Sequence, residues 1–242
     1  MTPRSRRSSV LTISRPTVQR ASWKAAQEHE MAWWTGLEAH LGSSESRERK
    51  RRAAMEIWHD IESIRPVPRE VRVLEVGTGG DGWVNFLPSA SCVGLDPLLL
   101  EMRRRGMGMF ERSVRFVSGV GEALPFRSDS FEVAFSYNVL DHMAEPERGL
   151  TEIRRVMRSG GILHLLVDTY RLAFVLYRRF YRPDPYHPST FTMARIRRML
   201  RSRGFRVVLD VSDTTPQGRR RNLRCRVFAV LDKGPGKGPG KP

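Results

Sequence analysis

Apolar residues along this chain fall into short runs bounded by glycine and acids in its middle, and into helical spacing toward its ends. Val71-Arg72-Val73-Leu74-Glu75-Val76 reads as a short buried strand, and Gly77-Thr78-Gly79-Gly80-Asp81-Gly82 follows as a turn. A near-continuous apolar run of this length, closed by glycine, suits a strand covered on both faces. Ser91-Cys92-Val93-Gly94-Leu95-Asp96 repeats the pattern and ends on an acid, and residues 130–136 form a further strand. Residues 192–202 read as a helix stopped by Gly204, with strands at 205–208 and 225–231 after it. Ahead of the first strand lie a helix containing residues 23–34 and a second over 44–64, which must stop before Pro66. Strands alternating with helices predict an α/β fold, a doubly wound, mostly parallel sheet.

The glycine turn gives this fold a chemistry. Glycine reaches backbone angles that other residues resist and lets a ligand approach the main chain. A strand running into such a turn is the nucleotide-binding corner of a doubly wound sheet. Alone it does not separate NAD-, FAD- and adenosyl-binding proteins. Asp96 lies 96 − 77 = 19 residues after Gly77, near the ~20-residue spacing at which an acid reaches ribose hydroxyls. Its competing role is a loop acid or helix cap.

Five stretches follow one another: Glu75-Val76-Gly77-Thr78-Gly79, Gly94-Leu95-Asp96-Pro97, Gly119-Val120-Gly121-Glu122-Ala123-Leu124-Pro125-Phe126, Asn138-Val139-Leu140-Asp141-His142 after a strand, and residues 152–163. In this order they resemble the Rossmann-like (class I) S-adenosylmethionine-dependent methyltransferases of the type 11 group. The resemblance covers roughly 71–167, with a weaker echo to 231. It implies a seven-stranded sheet with an antiparallel last strand, and S-adenosyl-L-methionine as cofactor. The cofactor residues it implies are Glu75, Gly77, Thr78, Gly79, Asp96, Val120, Gly121 and Asn138. In residues 152–163 it implies a helix, a Gly-Gly turn and the fifth strand. Two positions depart from the family pattern. Asp81 stands where a third glycine is common, and Val120 where an acid often meets the adenine amino group.

The charge at the strand end also favours this cofactor. A dinucleotide's pyrophosphate wants bare N–H groups at a helix N-terminus. Glu75 would repel it, but suits a ligand carrying an ammonium and a sulfonium, directly or by ordering the loop.

Composition fits one catalytic domain. A chain of 242 residues can bury a full core. Cys92 and Cys225 lie far apart, which argues against a disulfide framework or zinc site. No apolar run reaches ~18 residues, so no membrane span is expected, and the expected location is cytoplasmic. Residues 1–20 read as a disordered basic arm, with an organelle transit peptide as the alternative. Residues 21–66 form an N-terminal helical segment, 67–232 the catalytic domain, and 233–242 a Gly/Pro/Lys tail too poor in apolar residues to fold. Arg47, Lys50, Arg51 and Arg52 make a basic face, read as solvated. Trp33 and Trp34 either cover the site or pack on the sheet.

An insertion near 168–192 alternates aromatics with arginines. Such groups suit sugar rings, carboxylates or phosphates, and Tyr170, Arg171 and His187 are its candidate substrate residues. The competing picture is a basic surface helix with Leu172, Phe174, Val175 and Leu176 turned inward. His142 is the candidate catalytic base, with His187 and Asp141 as alternatives. No clustered carboxylates accompany His142, so no metal is expected. The function expected is methyl transfer to a small-molecule acceptor, a hydroxyl of a metabolite or sugar. The rival is an RNA methyltransferase or a basic nucleic-acid-binding protein on the same fold, since a net charge of +16 suits phosphate contact.

Overall fold

The structure is a computed structural model that describes residues 17–41, 43–89, 91–181, 187–217 and 222–234. Strands β1 (Arg72–Val76), β2 (Ser91–Asp96), β3 (Arg115–Ser118), β4 (Phe131–Tyr137) and β5 (Met157–Thr169) are joined by β6 (Phe205–Asp210), β7 (Asp213–Gln217) and β8 (Asn222–Leu231). They make one sheet in the order β3-β2-β1-β4-β5-β8-β6. β1 to β5 pair in parallel, and β8 runs antiparallel to both β5 and β6. The doubly wound sheet with one reversed strand is therefore present. It carries an eighth strand beyond the seven expected, because β7 folds back on β8.

Burial on both faces explains why β1 reads as a continuous apolar run. Leu74 and Val76 join a core with α4 (Pro146–Val156) and α6 (Met193–Arg201). Val73 faces the opposite core, with Val133, Phe135, Ile162 and Phe228. That second face is covered by α2 (Ser44–Ile64), which buries Ala54, Ile57, Trp58 and Ile61. These positions repeat at helical spacing and form one stripe. Ser43 caps the helix by accepting from the Ser46 N–H, and the chain leaves extended at Arg65. Fully burying a side chain such as Ile61 contributes roughly 1.5–3 kcal/mol.

Three expectations change. Gly160-Gly161 is not a free turn before β5. It is a bulge inside the strand, where pairing to β4 jumps from Phe131↔Met157 to Val133↔Ile162. The insertion forms α5 (Leu172–Tyr181), but none of its residues is buried, and Leu172 is 63 % exposed. Leu172 and Leu176 therefore stay exposed, while Phe174 and Val175 are only half-buried. The basic face of α2 is only partly solvated, since Arg47 pairs with Glu111 at 2.5 Å and the Lys50 ammonium lies 2.6 Å from Asp81.

α1 (Thr17–Leu41) lays Met31 and Trp34 on Met102 and Met107, beside α3 (Leu99–Arg104). Trp34 thus packs, whereas Trp33 is half exposed. Residues 1–16 of the expected basic arm and 235–242 of the expected tail lie outside the described residues, while residues 17–20 of that arm are helical and open α1. No helix of the described residues is long and apolar enough to cross a membrane.

Candidate functional site

The strand order reverses between β1 and β4, and crevices at such switch points are where doubly wound sheets bind ligands. A cleft of about 620 Å³ opens there, at the carboxyl ends of β1, β2, β4 and β5. Its floor is the glycine turn. Gly77 (φ +79) and Gly79 (φ +53) sit in the left-handed region, and Gly77 donates its N–H to the Leu95 carbonyl at 2.7 Å. A Cβ on Gly77 would run into Val139, and one on Gly79 into the Trp34 indole. Both positions therefore require glycine for conformation and for space.

Two buried acids hold this turn. Asp96 accepts from the Gly79 N–H at 2.9 Å and from the Leu98 N–H at 2.8 Å. Burial pushes its carboxyl up to about 6, against those two hydrogen bonds. Glu75 accepts from the Val84 N–H at 3.0 Å, and burial pushes it up to about 7. The backbone N–H groups of Val84 and Trp83 and the charge of Lys50 oppose that rise. Glu75 thus orders the loop through a network. Lys50 reaches the same loop from α2, bonding both the carboxylate and the backbone carbonyl of Asp81, with its ammonium 4.9 Å from the Trp83 ring centre. The departure at Asp81 is matched by a cation from another element.

Val120 and Gly121 form the opposite lip. Glu122 anchors their loop by accepting from the Ala144 N–H at 2.9 Å. Further along, Glu152 accepts from the Leu124 N–H, and Arg155 donates to the Leu124 and Phe126 carbonyls. A surface acid–base pair on α4 thereby fixes the loop's path. Asn138 closes β4 at φ +48, a region few residues other than glycine enter, and donates its N–H to Leu166 at 2.9 Å.

Beyond Asn138 the cleft ends in a polar corner. His142 Nδ1 lies 3.8 Å from the Glu30 carboxylate of α1. The His142 and His187 rings lie 4.7 Å apart. Ser189 donates its N–H to the Asp141 carbonyl at 3.3 Å, which ties the returning segment to this loop. Burial raises the Asp141 carboxyl, and the two histidines pull against that rise. Nearby, the Tyr137 hydroxyl lies 2.8 Å from His164 Nδ1, while Arg226 donates to His164 Nε2 at 3.3 Å. Nε2 is then the acceptor, so Nδ1 carries the proton. Burial and the Arg226 charge hold this histidine neutral, well below its ordinary range.

Glu75, Gly77, Thr78, Gly79, Asp96, Val120, Gly121 and Asn138 all line the one cleft, together with Asp141, His142 and His187. Tyr170 and Arg171 do not line it. The Tyr170 ring stacks on Phe174 instead, at 5.0 Å. Sequence reading missed Lys50, Trp83, Tyr137, Asp168 and Arg224, which line it too. For Lys50, Asp81 was the available signal. A more open groove of about 730 Å³ runs along the β6 edge, lined by Arg197, Arg201 and Arg206, and contains neither the glycine turn nor the histidines.

Residues 74–165 match the family described as "Methyltransferase domain". An uncharacterized methyltransferase of Mycolicibacterium vanbaalenii is 37 % identical over 92 residues, 37 % of this chain and 36 % of that protein. One from Mycobacterium tuberculosis is 33 % identical over 112 residues, 46 % and 43 % of the two chains. The chain thus spans less than half the length of these curated relatives. Among solved structures, Burkholderia thailandensis 1,6-didemethyltoxoflavin-N1-methyltransferase, with 1,6-didemethyltoxoflavin and S-adenosylhomocysteine bound, matches at TM-score 0.60. Identity is 16 %, over 93 % of this chain and 94 % of that one. The [4+2]-cyclase SpnF matches at TM-score 0.62 and 16 % identity, over 88 % and 97 %. These structures share the fold, and a cyclase among them shows that the fold alone does not dictate the reaction.

Proposed function

We propose that this chain, whose residues 74–165 form a methyltransferase domain of the Rossmann-like, S-adenosylmethionine-dependent kind, methylates a hydroxyl of a small metabolite or sugar. The observation that carries this reading is the joining, in one cleft, of the glycine turn with its two acids and the Asp141–His142–His187 corner.

The residues fit the cofactor. Asp96 would take the ribose hydroxyls, and Gly77 and Gly79 leave main chain bare for the amino acid head. Glu75 puts a buried carboxyl within reach of a cationic ligand, whose charge would favour the ionised form against the burial that raises it to about 7. Val120 and Gly121 offer backbone groups to the adenine edge. S-adenosylmethionine supplies an already activated methyl group as a sulfonium, so the protein need not generate the electrophile.

What remains for this chain is to orient the acceptor and remove its proton. Holding two reactants in line can contribute roughly 7–11 kcal/mol. A positioned base adds about 10²–10⁴-fold. His142 would accept the hydroxyl proton, with Glu30 at 3.8 Å stabilising the imidazolium that forms. Trp33, half exposed at the cleft mouth, offers an aromatic face to the acceptor.

The rival acceptor is RNA, favoured by the net charge of +16 and the arginine-lined groove at the β6 edge. One assay separates the two. Methyl transfer from labelled cofactor is measured on pooled hydroxyl metabolites, glycans and RNA across a salt series. A small acceptor should show almost no salt slope, whereas log affinity for a duplex falls by about 0.9 per phosphate neutralised, per decade of salt. His142→Ala should lower turnover and leave S-adenosylhomocysteine affinity intact, because a base acts in the transition state. Transfer confined to RNA with a steep salt slope refutes the small-acceptor reading.

A further inference from the structure

The acceptor corner is more specific chemically than a base with its neighbours. Asp141, His142 and His187 each offer one ligating atom, and these atoms lie within 4.8 Å of one another. Asp141 Oδ1 and His142 Nδ1 are buried and have no hydrogen-bond partner. A buried polar atom without a partner needs an explanation, and ligation of a cation would be one. His187 arrives on the segment that Ser189 ties to the Asp141 carbonyl.

We infer that this corner binds a divalent transition-metal ion of the zinc kind, which holds the acceptor hydroxyl and acidifies it. Imidazole donors favour borderline transition metals, whereas magnesium and calcium prefer oxygen-only cages. Two histidines and one carboxylate leave positions open, as catalytic zinc sites do. Zinc bonds of about 2.1 Å place tetrahedral ligand atoms about 3.4 Å apart, so the side chains close by up to about 1.4 Å from a spread of 4.8 Å. All three residues line the cleft, so a position they leave open would be reached from it. An acceptor hydroxyl bound there breaks its O–H bond, the proton passes to solvent water, and the oxygen keeps the electron pair. Metal binding lowers the pKa of bound water to about 7 by the same route. His142 then serves as a ligand, and the ion replaces it as the device that removes the proton.

The acceptor half of this inference rests on the proposed function; the ion itself does not. The test uses the full chain, stripped with a chelator and titrated with zinc chloride in a calorimeter. One equivalent should bind. Asp141→Asn and His187→Gln should each weaken binding by more than about tenfold, since even outer-shell partners of a metal are worth roughly 10–100-fold. Cobalt(II) in place of zinc should give visible absorption bands that both variants lose. Circular dichroism and S-adenosylhomocysteine titration verify that each variant is folded and keeps its cofactor cleft. No saturable zinc binding, or equal affinity in both folded variants, overturns the cation. If S-adenosylhomocysteine still binds in that case, the proposed function stands. Failure of both ligands to bind sinks both readings.

Discussion

Replacing Glu75 with Gln isolates a cost that this buried carboxyl imposes at neutral pH. Glu75 is 1 % exposed, and burial raises its carboxyl from an ordinary 4.5 to about 7. Between those values the folded chain keeps a proton that the unfolded chain has released. Stability is therefore fully present below about pH 4.5 and falls as pH rises toward 7. At about 1.4 kcal/mol per pH unit, the gap is worth about 3 kcal/mol well above pH 7. Of this, about 2 kcal/mol disappears between about pH 5 and about pH 8. For a chain of this size that is a fall of roughly 4–8 °C in Tm. Gln cannot ionise, and its carbonyl can still accept the Val84 N–H. The variant should therefore lose most of this pH dependence and be the more stable protein at the alkaline end. It should also bind S-adenosylmethionine more weakly there, because the ionised carboxylate is what a cationic ligand favours. Thermal denaturation of both proteins across the pH series, with and without cofactor, measures this. Parallel Tm curves for wild type and Glu75→Gln would refute the assignment of the buried charge.

Asp96→Ala should weaken S-adenosylhomocysteine binding by roughly 10–100-fold, the value of about 1.5–3 kcal/mol for a charged hydrogen-bond partner; unchanged affinity by calorimetry removes the ribose role. Gly79→Ala should lower Tm, since φ +53 and the Trp34 indole both oppose a Cβ, and a left-handed site alone costs an alanine on the order of 1 kcal/mol. Adding Trp34→Ala to that variant should not recover the backbone part of the loss, and full recovery would show that only the indole matters.

The parts of the fold legible in the sequence are those fixed by local pattern. β1 and β2 read correctly because burial on both faces leaves continuous apolar runs, and α2 because Ala54, Ile57, Trp58 and Ile61 repeat at helical spacing before Pro66. β7 was not legible, because it is stabilised by pairing with β8 and has no apolar run of its own. α5 shows the limit of the same rule. Its apolar spacing signals a face, but what covers that face is a property of the fold, and no residue of α5 is buried.

The site divides along the same line. The glycine turn and Asp96 sit at a fixed chain separation because only a short helical turn over Trp83–Asn85 and then β2, which Asp96 ends, lie between them, so their spacing carries information. His142 and His187 are 187 − 142 = 45 residues apart, and no local rule links them. They meet because β5 returns beside β4 and the segment after α5 comes back over the carboxyl end of the sheet. The expectation of no metal rested on the lack of clustered carboxylates accompanying His142, since Asp141 is a single acid beside it in sequence. The second imidazole and the Glu30 carboxylate reach that corner through tertiary structure, from opposite ends of the chain. Lys50 is the intermediate case. Its place on a basic helix face suggested a solvated cation, yet an acid in a turn that usually carries glycine needs a partner. An unusual charge beside a buried ligand site therefore says that a counter-charge exists, while only the fold says that α2 supplies it.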